Sequence, residues 1–373
     1  MLKRKKKTQK TYGVPETPEL TAGTNAPVTS RVAVFPALQN KNYRIFFFGQ
    51  FTSVIGTWLQ IVAQAWLVLQ FTSSAFILGL VAALTTTPSL LFSLFGGVLV
   101  DRYNKKTILY FTQSANMVLA LTFGVLTITE NINIPLIGMF AFLMGTVNAI
   151  DAPARQAFVP TIINKDQLAS AIALNSGMFN AARAIGPAIA GLLIASVGTG
   201  MAFLLNGFSY IAVLIALYFI HHRDDRQSRP TQPFQAIKDG LRYTFTHPLI
   251  RVLVIFTGVL SIFGWSYSTV MPYIAKTIFL VEARELGYLY TATGLGSLLA
   301  TFLVGIYSKK FSPVVFILGG NIMLSVSLIL FGLTQNFYIA LILLFFIGLG
   351  LLSQSATMNT LIQTVCRMIF ADA

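Results

Sequence analysis

Arg183 is the residue whose surroundings demand most explanation. It lies about 15 residues into the apolar stretch 168–196, or about 22 Å along a helix axis at 1.5 Å per residue. A cation in hydrocarbon costs about 2.5–3.5 kcal/mol on insertion scales, so it has to face a cavity, a carbonyl or an anion. Two readings stand: binding an anionic ligand or working a gate, and purely structural pairing. Ser53, Thr57, Gln60 and Gln64 recur at i, i+4, i+7 and i+11, one polar stripe on an otherwise apolar helix. Such a stripe has to face protein or water. It either lines a cavity or makes interhelical hydrogen bonds worth about 0.6–2 kcal/mol each. Asn148, Asn175 and Asn180 invite the same two readings, and Trp58 and Trp66 could stack on a ligand or simply pack. These are recognition chemistries rather than covalent ones. There is no nucleotide loop, metal-ligand cluster or nucleophile–His–acid set. His221 and His222 are adjacent and point to different faces, and the single cysteine, Cys366, can form no intrachain disulfide. No enzyme activity, metal or cofactor is expected.

The elements that position these residues are set by the apolar blocks. Hydrophobic residues make up 55% of the 373 and charged residues only 10%, where a soluble domain carries about 25% charged. Blocks of about 20 apolar residues span a bilayer as helices, and the alternating segments of a membrane barrel are missing. The expected class is an all-α polytopic membrane protein. Ten spans are expected, near 45–70, 76–100, 107–129, 134–150, 168–196, 201–220, 250–275, 286–307, 313–334 and 337–363.

The net charge of +14 follows topology and gives no reason to invoke nucleic acid. Nine of the 26 basic residues, Lys3 through Arg44, lie before or at the first span. The loops after spans two, four, six and eight carry Lys and Arg, whereas those after spans one, three, five and nine carry none. Only the loop after span seven breaks the pattern, with Lys276 and Arg284 beside Glu282 and Glu285. The positive-inside rule then puts both termini in the cytoplasm, with a bilayer of anionic headgroups as the basic loops' partner. Residues 1–40 read as a flexible basic tail and not a signal peptide. Residues 221–249 read as a cytoplasmic linker in which Ile237, Leu241 and Tyr243 could form the apolar side of a short interfacial helix.

The run Gly97-Val98-Leu99-Val100-Asp101-Arg102-Tyr103-Asn104-Lys105-Lys106 resembles the signature of the major facilitator superfamily between helices two and three. Physically, Gly97 would let helices approach, Asp101 would cap a neighbouring helix N-terminus, and Arg102 and Lys106 would stay among headgroups. In span five, Ala173, Ala182, Gly186-Pro187 and Ala190-Gly191 resemble that superfamily's fifth-helix motif, associated with exporters. Small residues there make a close-packed face, and Pro187 loosens the backbone. The wording of Asp151–Pro160 and Asn175–Arg183 is similar to the enterobactin-exporter-like branch, the transmembrane secretion effectors.

That resemblance implies a twelve-helix, two-bundle transporter working by alternating access on a small molecule such as a siderophore or drug, in a bacterial inner membrane. The signature loop (Gly97, Asp101, Arg102, Lys106), the helix-five motif (Arg183, Gly186, Pro187, Gly191) and a lining of Thr57, Gln60, Gln64, Asn175 and Asn180 are its candidate site residues. Protons as coupling ion follow from family analogy alone, since Asp101 and Asp151 read as lying at cytoplasmic ends and no carboxylate as lying mid-span. The second half lacks a matching Asp-Arg pair at Gly305–Lys310. The expected architecture is a six-helix N-terminal bundle at 41–220 and a truncated four-helix C-terminal bundle at 250–365, closed by an aberrant tail at 366–373. Uptake by the same fold, and an inactive truncated remnant, are the alternatives.

Overall fold

The computed structural model describes residues 35–220, 245–246, 248–308 and 310–371. The expected tail up to Val34 and most of the linker, with His221, His222 and the interfacial helix, lie outside them. Among the described residues ten long helices account for the fold, and there is no strand. The first six are α1 (Lys41–Phe71), α2 (Ala75–Arg102), α3 (Lys105–Ile128), α4 (Ile134–Phe158), α5 (Leu168–Val197) and α6 (Thr199–Phe219). In α7, the α-helical segments Pro248–Val259 and Trp265–Thr277 flank a π-helical turn, Leu260–Gly264. The last three are α8 (Ala283–Tyr307), α9 (Pro313–Leu333) and α10 (Phe337–Ala371). All ten are long and apolar enough to cross a membrane.

Polar caps fix where the helices start. Asn40, Ser74, Asn104 and Asn133 each accept from backbone N–H groups in the first turn of α1, α2, α3 and α4. Glu282 and Glu285 close a reciprocal capping box on α8. The helix bodies are apolar nearly all round, and large side chains stand on the outer surface, such as Leu90 at 83% exposure and Phe76 at 78%. A surface so apolar is stable against lipid and would aggregate in water.

Helix α6 packs between α1 and α3, α2 packs on α4, and α10 takes both α8 and α9. The halves meet chiefly where α5 runs along α8, with smaller contacts of α7 on α1 and α2. Two boundaries depart from the apolar pattern. The chain is packed before span one, since Pro36–Gln39 form a 3₁₀ turn and Ala37 is fully buried. Helix α4 continues past the expected end at 150 to Phe158, because the polar side chains there pair inside the bundle.

Candidate functional site

A central cavity of about 270 Å³ lies between the two halves. Thr57, Gln60 and Gln64 line it, so three members of the α1 stripe share one wall. Ser53, one turn earlier, is buried and accepts the Thr57 hydroxyl through its backbone carbonyl at 3.0 Å. The other walls come from residues that no single-helix pattern singles out: Thr85, Asn116, Asn206 and Tyr210 from the N-terminal half, and Ser268, Thr269 and Tyr290 from α7 and α8. Asn148 also lines the cavity.

The walls are held by amide chemistry. Asn206 Nδ2 donates to Gln60 Oε1 at 2.5 Å, and Gln60 Nε2 points at Met144 Sδ. Asn116 Nδ2 donates to Asn148 Oδ1 at 3.4 Å, while the Asn116 Oδ1 acceptor is buried without a partner. Side chains locked in this way offer preorganised donors and acceptors to a ligand.

Asn175 and Asn180 do not line this cavity. Asn180 spends its amide on the Ser176 carbonyl at 2.9 Å and on Thr301 Oγ1 of α8 at 3.3 Å, tying α5 to α8. Asn175 is half-buried elsewhere on α5. Arg183 is half-buried and, among the described residues, makes no hydrogen bond to a carbonyl. Its guanidinium carbon sits 5.4 Å from the Trp58 ring centre and 4.7 Å from that of Trp265, and its Nε is buried with no hydrogen-bond partner. Trp66 packs against the core from the side.

The rest of the helix-five motif makes the junction around Arg183. A methyl group added at Gly186 would collide with Trp58 Cβ, so the α5 backbone lies directly against that residue. One at Gly191 would come 2.7 Å from the Ala283 carbonyl of α8. Across the same crossing, one at Gly287 would come 2.6 Å from the Pro187 carbonyl. In the signature loop the close approach belongs to Gly96, where an added methyl would come 2.5 Å from the Ala149 carbonyl; Gly97 faces open space. The expectation for Gly97 is therefore shifted by one residue, because the neighbouring glycine is the one turned toward α4. Asp101 and Arg102 are exposed, and among the described residues no helix N-terminus meets Asp101. Lys106 Nζ donates to the Ile220 carbonyl at 2.8 Å, covering an open carbonyl at the end of α6.

Asp151 lies beyond the expected span end at 150, yet the structure puts it within the helix. It is inside α4 and 2% exposed. Its Oδ1 accepts from Thr112 Oγ1 at 2.7 Å and Gln113 Nε2 at 2.8 Å, and its Oδ2 lies 3.6 Å from Arg155. The i, i+4 spacing of Asp151 and Arg155 was the available signal.

Comparisons with known proteins agree with this architecture. The chain is 29% identical over 263 residues to the staphyloferrin A transporter of Staphylococcus aureus (strain NCTC 8325 / PS 47). That match covers 70% of this chain and 66% of the relative, just under two thirds of its length. The enterobactin exporter EntS of Shigella boydii is 22% identical over 327 residues, 86% of this chain and 77% of its own. The solved structure of a bacterial homolog of the human lysosomal transporter Spinster, in an inward-facing and occupied conformation, superposes with a TM-score of 0.60 at 16% identity. It covers 88% of this chain and 78% of its own length. The sequence profile of transmembrane secretion effectors matches residues 32–369. The chain is thus a multi-pass membrane protein and belongs to the transmembrane secretion effector family of the major facilitator superfamily.

Proposed function

We propose that the protein is a secondary active exporter that moves a small organic molecule, of siderophore or drug-like kind, across the bacterial inner membrane by alternating access. The observation that carries this reading is the central cavity. Its walls come from both halves, so movement of one half against the other would change its access. The names of the relatives support a siderophore-like substrate, and that of the enterobactin exporter supports the outward direction. Cationic loops on alternate connections support cytoplasmic termini. The connections between the described helices are too short to carry a catalytic domain, which favours transport driven by an ion or substrate gradient.

The test is expression in a bacterium stripped of its own siderophore and drug exporters, followed by assay of siderophore in the medium and of drug resistance. Export predicts increased secretion or resistance that is lost in a Gln60→Leu, Asn206→Leu variant. Inverted membrane vesicles then fix direction, because an exporter accumulates its substrate inside them. Accumulation only in right-side-out vesicles would reverse the reading to uptake, and no movement of any substrate in either would end it.

A further inference from the structure

Arg183 carries a charge that nothing nearby balances. Among the described residues no carboxylate pairs with it and no acceptor meets its guanidinium, and its Nε is buried and unpartnered. What holds it is a pair of indoles, Trp58 of α1 and Trp265 of α7. Trp265 follows directly on the π turn, a backbone irregularity frequent at functional sites. Trp58 also lines the central cavity, whereas Arg183 does not. One aromatic residue thus touches both the cation and the ligand space. The Gly186 backbone, three residues along α5 from Arg183, lies directly against the Cβ of Trp58. Apart from the phenols Tyr210 and Tyr290, the side chains lining the cavity carry no ionisable group.

A stacked indole lowers the energy of a cation at short range and leaves its charge in place, and the surrounding protein screens that charge weakly. A ligand ring stacked on Trp58, whose ring centre is 5.4 Å from the guanidinium carbon, would bring its own charge to within about 9 Å of that cation. At an effective dielectric constant of about 20, that separation changes affinity by a factor on the order of ten, against a cation and in favour of an anion. The loaded indole is also a poorer platform for a second cation. We propose that Arg183 determines charge selectivity in this cavity by acting through Trp58, so that the site accepts neutral or anionic ring-bearing molecules and rejects cationic ones. The proposal rests on the cavity being the ligand site, and it makes Arg183 a specificity residue that need not touch the ligand.

Three probes of nearly one shape separate the charges: 4-fluorobenzoate, 4-fluorobenzamide and 4-fluorobenzamidine, negative, neutral and positive near neutral pH. Fluorine NMR of each with the purified full chain in lipid nanodiscs reads affinity without any transport step. The wild type should bind the amidine at least about tenfold more weakly than the amide, with the benzoate as tight or tighter. Arg183→Gln should narrow that spread to under about threefold with little change for the amide, whereas Arg183→Lys, which keeps the charge, should retain it. A structural role alone would weaken all three probes together. Equal binding of amidine and amide by the wild type overturns the proposal, as does a folded glutamine variant with an unchanged spread. If the glutamine variant does not fold, a folded lysine variant without the spread overturns it as well. Failure of all three probes to bind the wild type also removes it, and the secretion assay then tells whether export itself fails.

Discussion

Two residues bear on how the interior of the bundle is held. Asp151 collects Thr112, Gln113 and Arg155 around one buried carboxylate, so its removal strands three polar groups at once. Asp151→Ala should cost about 3 kcal/mol, because buried donors left without an acceptor keep their full desolvation penalty. Asp151→Asn retains an acceptor oxygen for Thr112 or Gln113 and should cost less than half as much. Unfolding of the purified variants in detergent measures both, and equal losses would show that the hydrogen bonds are not what matters there. Gly186→Ala acts differently. Its methyl group has no room beside Trp58 Cβ and the Ile55 carbonyl. Trp58 or the α1 backbone beside it has to shift, at an overpacking cost of about 1–3 kcal/mol. A shift of tryptophan emission together with weaker ligand binding is the expected readout, and an unchanged spectrum would show that the helices give way elsewhere.

Helix contacts in the second half rest on small residues, since lipid offers no hydrophobic drive for helices to associate. Where α8 crosses α10, an added methyl at Gly296 would run into the Phe345 carbonyl and one at Gly348 into the Thr293 carbonyl. Gly348→Leu should therefore splay the two helices and abolish the folded protein. Gly79→Ala, where the space is open, should be tolerated. Fluorescence-detected gel filtration separates the outcomes, and a monodisperse Gly348→Leu variant would contradict this packing. The helices themselves were legible from apolar run length, because hydrocarbon thickness sets that length directly. Helix α4 was read eight residues short at 150, because Asp151 and Arg155 look like the start of a loop when their partners on α3 are unknown. The α1 stripe was legible because one helix repeats it. Asn206, Ser268 and Tyr290 were not, since each joins the cavity only through tertiary packing. The depth of Arg183 could be computed from sequence, but its two indole partners lie 125 and 82 residues away along the chain.

At the scale of the molecule, one of the two cations that break the charge rule has a structural explanation. Lys276, in the last turn of α7, donates to the Leu69 carbonyl near the end of α1, a pairing of a cation with an open helix C-terminus across the two halves. The Gly191 and Gly287 crossings of α5 and α8 lie toward the same face of the bundle, so α1 with α7 and α5 with α8 pin the halves together there. In the proposed orientation that face is the outer one, and opening it has to break the lysine bond. A hydrogen bond from a charged donor contributes about 1.5–3 kcal/mol, or at least about tenfold in an open-to-closed ratio. Lys276→Met should therefore raise the rate at which an impermeant thiol reagent, added from outside, labels a cysteine placed at Thr57 in a Cys366→Ser background by about that factor. Labelling of the same cysteine from the cytoplasmic side in inverted vesicles should fall or stay level, since closing one face and opening the other draw on one equilibrium. If both rates rise together, Lys276 is holding the fold rather than choosing between its states, and the outer latch is lost as an explanation for the misplaced charge.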